Sequence, residues 1–306
     1  MSDDFHLEEQ IKVFSELVKT GTLETIQAAI DDGADVNEQD RNGKTPLMCA
    51  AMENPNPDVI ITLLDAGADL KANKGMSVLE YAAMGNENPA VITTILNAGL
   101  DVNARNMKGG NVLFSAVLTH NPEVITTLLN AGADIKTLQK NGETPLMEAA
   151  SWCGSSEVVT RLLNAGMDVN ARDQNDTTPL MWAAKWDWMR PEVFILLLEA
   201  GADVEARDNN GKTALMHAAE QNQNPESITI LLAAGLDVKD RDKNGTTPLI
   251  GAAMSNTNPE IITTLLEAGA DAKHTDNRGR MAVDYAQNNE SLKYSDVFKT
   301  LQERSK

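Results

Sequence analysis

One four-residue string, Ala-Gly-Ala-Asp or a close variant, returns along this chain with its glycine at Gly33, Gly67, Gly99, Gly132, Gly166, Gly201, Gly235 and Gly269. The successive spacings are 34, 32, 33, 34, 35, 34 and 34 residues. A module of that length has no core of its own. It must bury its apolar face against copies of itself, so the period constrains the fold more than any local propensity does.

A second marker keeps step with the first. Thr45-Pro46-Leu47-Met48 recurs at Thr144-Pro145-Leu146-Met147, at Thr178-Pro179-Leu180-Met181 and, varied, at Thr213-Ala214-Leu215-Met216 and Thr247-Pro248-Leu249-Ile250. Threonine caps a helix, and proline is tolerated at the first helical position because no N–H is needed there. Leu47, Ala50 and Ala51 then form an apolar stripe, and this short alanine-rich helix stops near Asn54. Asn56-Pro57-Asp58 starts a second helix, a device repeated at Asn88, Asn121, Asn224 and Asn258. In the last full unit Ile261, Ile262, Leu265 and Leu266 recur at one-turn spacing, a helical stripe. Gly269 ends that helix, and an extended segment runs to a tight Asn-Gly turn such as Asn244-Gly245.

These strings resemble the ankyrin repeat, whose Thr-Pro-Leu-His-x-Ala-Ala and Gly-Ala-Asp-Val-Asn signatures are matched with methionine usually in the place of histidine. The swap is expected to remove a polar contact to the capping threonine. The resemblance covers nearly the whole chain. It implies an all-α repeat solenoid of helix-loop-helix units joined by β-hairpin turns, elongated and curved. We read a single domain over residues 1–306: capping helices at 1–39, seven full repeats at 40–275 and a C-terminal capping repeat at 276–306. Leu7, Ile11, Phe14 and Val18 give the first cap an apolar face. Met281, Ala282, Tyr285, Ala286, Val297, Phe298 and Leu301 do the same for the last. The turn at Lys71-Ala72-Asn73-Lys74-Gly75 is two residues shorter than its neighbours, which predicts a stunted hairpin tip. Cys49 and Cys153 stand three repeats apart and are expected as free thiols.

Charge and composition narrow the function. The net charge is −19, which disfavours nucleic acid and anionic membranes and favours a basic protein partner. No run of roughly 20 apolar residues is present to span a bilayer. The acidic start, Met1-Ser2-Asp3-Asp4, does not read as a signal peptide, so the expected compartment is the cytoplasm, although a leader already removed would leave no trace. Gly43-Lys44-Thr45 and Gly211-Lys212-Thr213 lack the earlier glycine of a phosphate loop, since Glu38 and Ala206 stand there. The calcium-loop start at Asp240-Arg241-Asp242 lacks its distal glutamate, with Gly251 in its place. His6, His120, His217 and His274 have no ligand spacing. We therefore expect no enzyme, no metal and no cofactor, and an isolated solenoid with polar caps is expected to be monomeric.

What remains is a surface for binding protein. After the leucine of each marker, three positions at i, i+3 and i+4 share one helical face. They hold Cys49, Met52 and Glu53; Tyr81, Met84 and Gly85; Ser115, Leu118 and Thr119; Glu148, Ser151 and Trp152; Trp182, Lys185 and Trp186; His217, Glu220 and Gln221; and Gly251, Met254 and Ser255. In the resembling family this face looks into a concave groove beside the hairpin tips. All four tryptophans, Trp152, Trp182, Trp186 and Trp188, fall in two adjacent repeats near Lys185 and Arg190. Tryptophan beside cationic side chains is the composition of an interaction hot spot. The expected contact set is Trp152, Trp182, Lys185, Trp186, Trp188, Tyr81, Met52, Met84, Leu118, Glu148, His217 and Met254. The competing reading is an engineered or purely structural solenoid without a natural target, against which uneven repeat lengths and clustered tryptophans speak.

Overall fold

The computed structural model describes residues 14–72, 75–119, 121–153, 155–186 and 191–306, with the backbone alone at residues 119 and 153. These residues form an all-α repeat solenoid, and among them there is no strand. Turns without ladder pairing stand where hairpin strands were expected. The chain divides into two compact units, Met1–Lys140 and Asn141–Lys306.

Each repeat is set by its caps. In the first unit the Thr45 hydroxyl accepts from the Met48 N–H and starts the helix Pro46–Glu53. Asn56 Oδ1 accepts from the Asp58 N–H and starts Pro57–Asp65. In the second unit Thr247 and Asn258 do the same for Pro248–Ser255 and Pro259–Glu267. Leu47, Ala50, Val59, Ile60 and Leu63 are sealed from solvent in the first unit. Leu249, Ala252, Ile261, Ile262 and Leu265 are their counterparts in the second. Each such leucine or isoleucine contributes about 1.5–3 kcal/mol on burial. At the two ends Phe14 and Val18 are buried in a helix through residues 14–20, and Leu301 is buried in Asp296–Arg304. Leu7 and Ile11 lie outside the described residues, as do Asn73 and Lys74 of the short turn.

The marker glycines serve backbone conformation alone. All eight have φ between +87° and +104°, and a Cβ built on any of them would meet nothing within 4 Å. The left-handed helix terminus selects glycine here, with no crowding to assist.

The turns between repeats are built on an aspartate. Asp208 Oδ1 accepts from the Asn210 and Lys212 N–H groups, and Asp40, Asp173, Asp242 and Asp276 repeat the pattern. Successive turns are joined by single backbone bonds. Lys140 N–H donates to Lys108 O in the first unit, and Gln174, Asn209, Lys243 and Asn277 donate to Asn141, Asn175, Asn210 and Asn244 in the second. Asp176, with φ of 56°, takes the left-handed turn position that glycine fills elsewhere, as at Gly211.

A further device binds repeat to repeat. Asn54, Asn86, Asn222 and Asn256 are buried nine residues after the capping residue. Asn256 Nδ2 donates to the Ala219 and Asn222 carbonyls of the preceding repeat, while its Oδ1 accepts from the Asn258 N–H. Asn86 links to Ala51 and Asn54 in the same way in the first unit. A buried amide with both ends satisfied specifies one stacking register, because any slip orphans polar groups in the core. His120, Cys153 and Asp187 occupy this position in the three middle repeats. Their first helices, Leu113–Ala116, Pro145–Glu148 and Pro179–Ala184, are shorter than the 8 residues of the repeats that carry the asparagine. The first passes into a 3₁₀ turn at Val117–Thr119, and the second into a π turn at Ala149–Cys153.

In one repeat the methionine-for-histidine swap keeps a polar contact to the capping threonine. Met147 Sδ accepts from the Thr144 N–H at 3.5 Å, so the sulfur restores a weak version of the polar contact. Cys49 is a free, buried thiol, and burial pushes its pKa up.

Candidate partner-binding surface

The first-helix face is narrower than the spacing implies. Its first position, at i, turns into the joint between helix and turn. Cys49, Ser115, His217 and Gly251 are buried there, and Tyr81, Glu148 and Trp182 are half-buried. The open surface is carried by the later two positions: Met52, Met84, Lys185 and Trp186 are half-buried, and Leu118, Trp152 and Met254 are exposed. Ser151, which is buried, is the exception.

Three side chains at the first position bond to the turn aspartate nine residues earlier. Trp182 Nε1 donates to Asp173 Oδ2 at 3.2 Å. His217 Nε2 meets Asp208 Oδ2 at 3.0 Å, and the Tyr285 hydroxyl donates to Asp276 Oδ2. At 6% exposure and tied to Asp208, His217 leaves the contact set that the sequence suggested. The signal was available in the sequence as a hydrogen-bond donor nine residues after a turn aspartate. Burial of Asp208 would raise its carboxyl pKa, but the His217 bond and the Lys212 and Asn210 N–H groups outweigh that and hold it at about 2.

In the first unit Met52 and Tyr81, two of the expected residues, meet around Lys44. Met52 packs over Gly85, where a Cβ would come within 2.6 Å of Met52 Cγ. Lys44 Nζ lies 5.0 Å from the Tyr81 ring centroid and 3.9 Å from Met52 Sδ.

In the second unit the described tryptophans take part in two pairs, one of two rings and one of a ring with a cation. Trp152 leaves the π turn 51% exposed, and its ring centroid lies 5.4 Å from that of Trp186, with the planes tilted by 35°. That is a favourable aromatic separation. The extra width of a π turn re-aims its side chains, a distortion common at functional sites. Trp186 is held from behind, because its carbonyl accepts from Asn222 Nδ2 at 2.8 Å. In the second pair Lys185 Nζ sits 4.4 Å from the Trp182 ring centroid. Burial pushes the Lys185 pKa down, and Asp173, Asp208 and Glu143 act against it. Lys185 thus stands among three carboxylates, with the Lys212 cation also close enough to act on it. Glu148 is half-buried one turn before Trp152. Trp188 and Arg190 lie outside the described residues.

Among the described residues no group of three or more His, Cys, Asp or Glu side chains is placed to hold a metal ion. Among them also, no helix is long and apolar enough to cross a membrane.

A family model described as Ankyrin repeats (3 copies) matches residues 14–106, 113–208, 166–242, 190–276 and 215–305. No curated protein matches the chain.

Proposed function

Because the chain belongs to the ankyrin-repeat family, we propose that it is a protein-interaction scaffold that holds a partner on the first-helix face of its second unit, through Trp152 and Trp186. Ankyrin repeats are generally protein–protein interaction modules and typically non-catalytic. The observation that carries the finer reading is the Trp152–Trp186 pair. A large aromatic surface is left half in solvent on a π turn, beside a neighbour whose backbone is fixed. An exposed, pre-ordered tryptophan loses little conformational freedom on binding and supplies a large apolar area. Glu143, Asp173 and Asp208 around Lys185, in a chain of net charge −19, favour a partner with a basic contact region. The scaffold acts as a monomer in this reading.

The test is capture of a partner from the source cell, followed by titration of the purified partner against wild type, Trp152→Ala and Met254→Ala. Trp182 is kept, since its bond to Asp173 gives it a structural duty. The expected outcome is at least a tenfold loss of affinity for Trp152→Ala, about 1.4 kcal/mol, with helical circular dichroism unchanged. Equal affinity of wild type and Trp152→Ala rejects the site.

A further inference from the structure

The first unit carries a second departure from the repeat, of opposite charge. Three stretches there, residues 70–79, 102–122 and 135–142, contain Lys71, Lys74, Arg105, Lys108, Lys136 and Lys140 and no aspartate or glutamate. The turn aspartate that five other repeats use is Asn106 in one of these turns and Gln139 in the next. Asn106 still closes its turn, since its Oδ1 accepts from the Lys108 and Gly110 N–H groups. The turn keeps its geometry without an acid of its own, and Asn106 Nδ2 donates to the Glu80 carboxylate at 3.0 Å.

Two apolar side chains break the pattern in the same place. Met107 is 73% exposed, at a tip position where the other turns carry Arg41, Lys140, Gln174, Asn209, Lys243 and Asn277. Leu138 is 45% exposed, where Arg105, Arg172, Arg207 and Arg241 stand in other turns. The two tips are neighbours. Lys140 N–H donates to Lys108 O at 2.8 Å, and a Cβ on Gly109 would lie 3.8 Å from the Leu138 carbonyl oxygen. Met107 also reaches the preceding turn, where a Cβ on Gly75 would lie 2.9 Å from its methyl group.

Four of the cations near this apolar pair differ from those of the second unit in their pairing. Among the described residues Lys71, Arg105, Lys108 and Lys136 form no ion pair, whereas in the second unit Arg207 pairs with Asp240 and Lys212 with Glu220. Asp69, Asp101 and Asp134 lie nearby, each with an oxygen bound to the turn N–H two residues on. Exposed methionine and leucine beside Lys108 and Lys136 form an adaptable apolar contact with a charge requirement around it.

We infer that this edge of the first unit, centred on Met107, Leu138, Lys108 and Lys136, docks an acidic polypeptide segment carrying apolar side chains. It is a site separate from the tryptophan pair and takes the opposite charge. The acidic occupant follows from complementarity: the edge offers a local excess of positive charge on a chain whose total is −19.

The experiment uses the full chain and a synthetic ten-residue peptide of glutamates and aspartates with two central leucines. Controls are the peptide with lysine for every acid, phosphatidylserine vesicles and a second copy of the chain. Binding is read by isothermal titration and by amide hydrogen exchange at residues 105–110 and 136–140. The acidic peptide is expected to bind, to protect those amides and to weaken at least tenfold between about 50 and 200 mM salt. Met107→Gln with Leu138→Arg, which restores the residue types of the other turns, is expected to lower affinity at least fivefold. Lys108→Glu with Lys136→Glu should do the same. Both pairs are exposed, so their melting temperatures should match wild type. Trp152→Ala should leave this binding unchanged, which separates the two sites. Equal binding of the lysine peptide, preferential binding to vesicles, self-association that consumes the edge, or indifference to both double variants overturns the inference.

Discussion

Trp182 Nε1 donates to the buried carboxylate of Asp173 across 3.2 Å, nine residues back along the chain. Its neighbour in role, Trp152, is half in solvent on a π turn. The two residues share a helical face by spacing, yet one locks a turn to a helix and the other faces outward. Trp182→Phe removes the donor and leaves a buried Asp173 oxygen without it, at a cost of about 1–3 kcal/mol. Trp152→Phe should stay within about 0.5 kcal/mol of wild type. Urea denaturation followed by circular dichroism distinguishes them, and equal stabilities of the two variants would contradict the assignment.

Asp208 makes acid stability pH-dependent. Its folded pKa, about 2, lies below the ordinary 3.8, so its contribution is complete above about pH 4 and is lost as pH falls towards 2. The depth is roughly 2 kcal/mol. The stability difference between wild type and Asp208→Asn should therefore shrink across that window. A difference that stays flat from pH 5 to pH 2 would show that the His217 bond and the turn N–H groups do not hold this carboxyl down.

Backbone conformation can be tested apart from packing. Gly166 has φ of +89° with nothing near a built Cβ, so Gly166→Ala should destabilise by about 1 kcal/mol through conformation alone. Asp176 occupies the left-handed position of its turn, so Asp176→Gly should stabilise by about 0.5–1 kcal/mol. Opposite signs in thermal melts are the expected result.

The asparagine ladder should dominate the polar contribution to stacking. Asn256 is fully buried and makes three bonds, so Asn256→Ala is expected to cost about 3 kcal/mol. Asn258, half-buried, caps Glu260 and reaches the Gln223 carbonyl, and its alanine variant should cost about 1 kcal/mol. Chemical denaturation of both variants measures the ratio, and a smaller loss at Asn256 would reject the ladder as the register device.

The sequence by itself determined the period, the caps, the marker glycines and the apolar stripes. These are local rules: a cap, a left-handed glycine and a one-turn spacing act within a few residues and can be read from the string. Tertiary structure alone decided which surface side chains are open. Trp182 and Trp152 are both tryptophans on the same face, and His217 sits where Trp182 does. Only the folded turn brings Asp173 and Asp208 within reach of Trp182 and His217 and leaves Trp152 to stack on Trp186. Asn54 and Asn256 read as helix ends in the sequence, because the carbonyls they bind lie 33 to 37 residues away, in the repeat before. Met107 and Leu138 likewise lie 31 residues apart in a chain where exposure follows from stacking. Only the backbone bond between their turns makes them one surface.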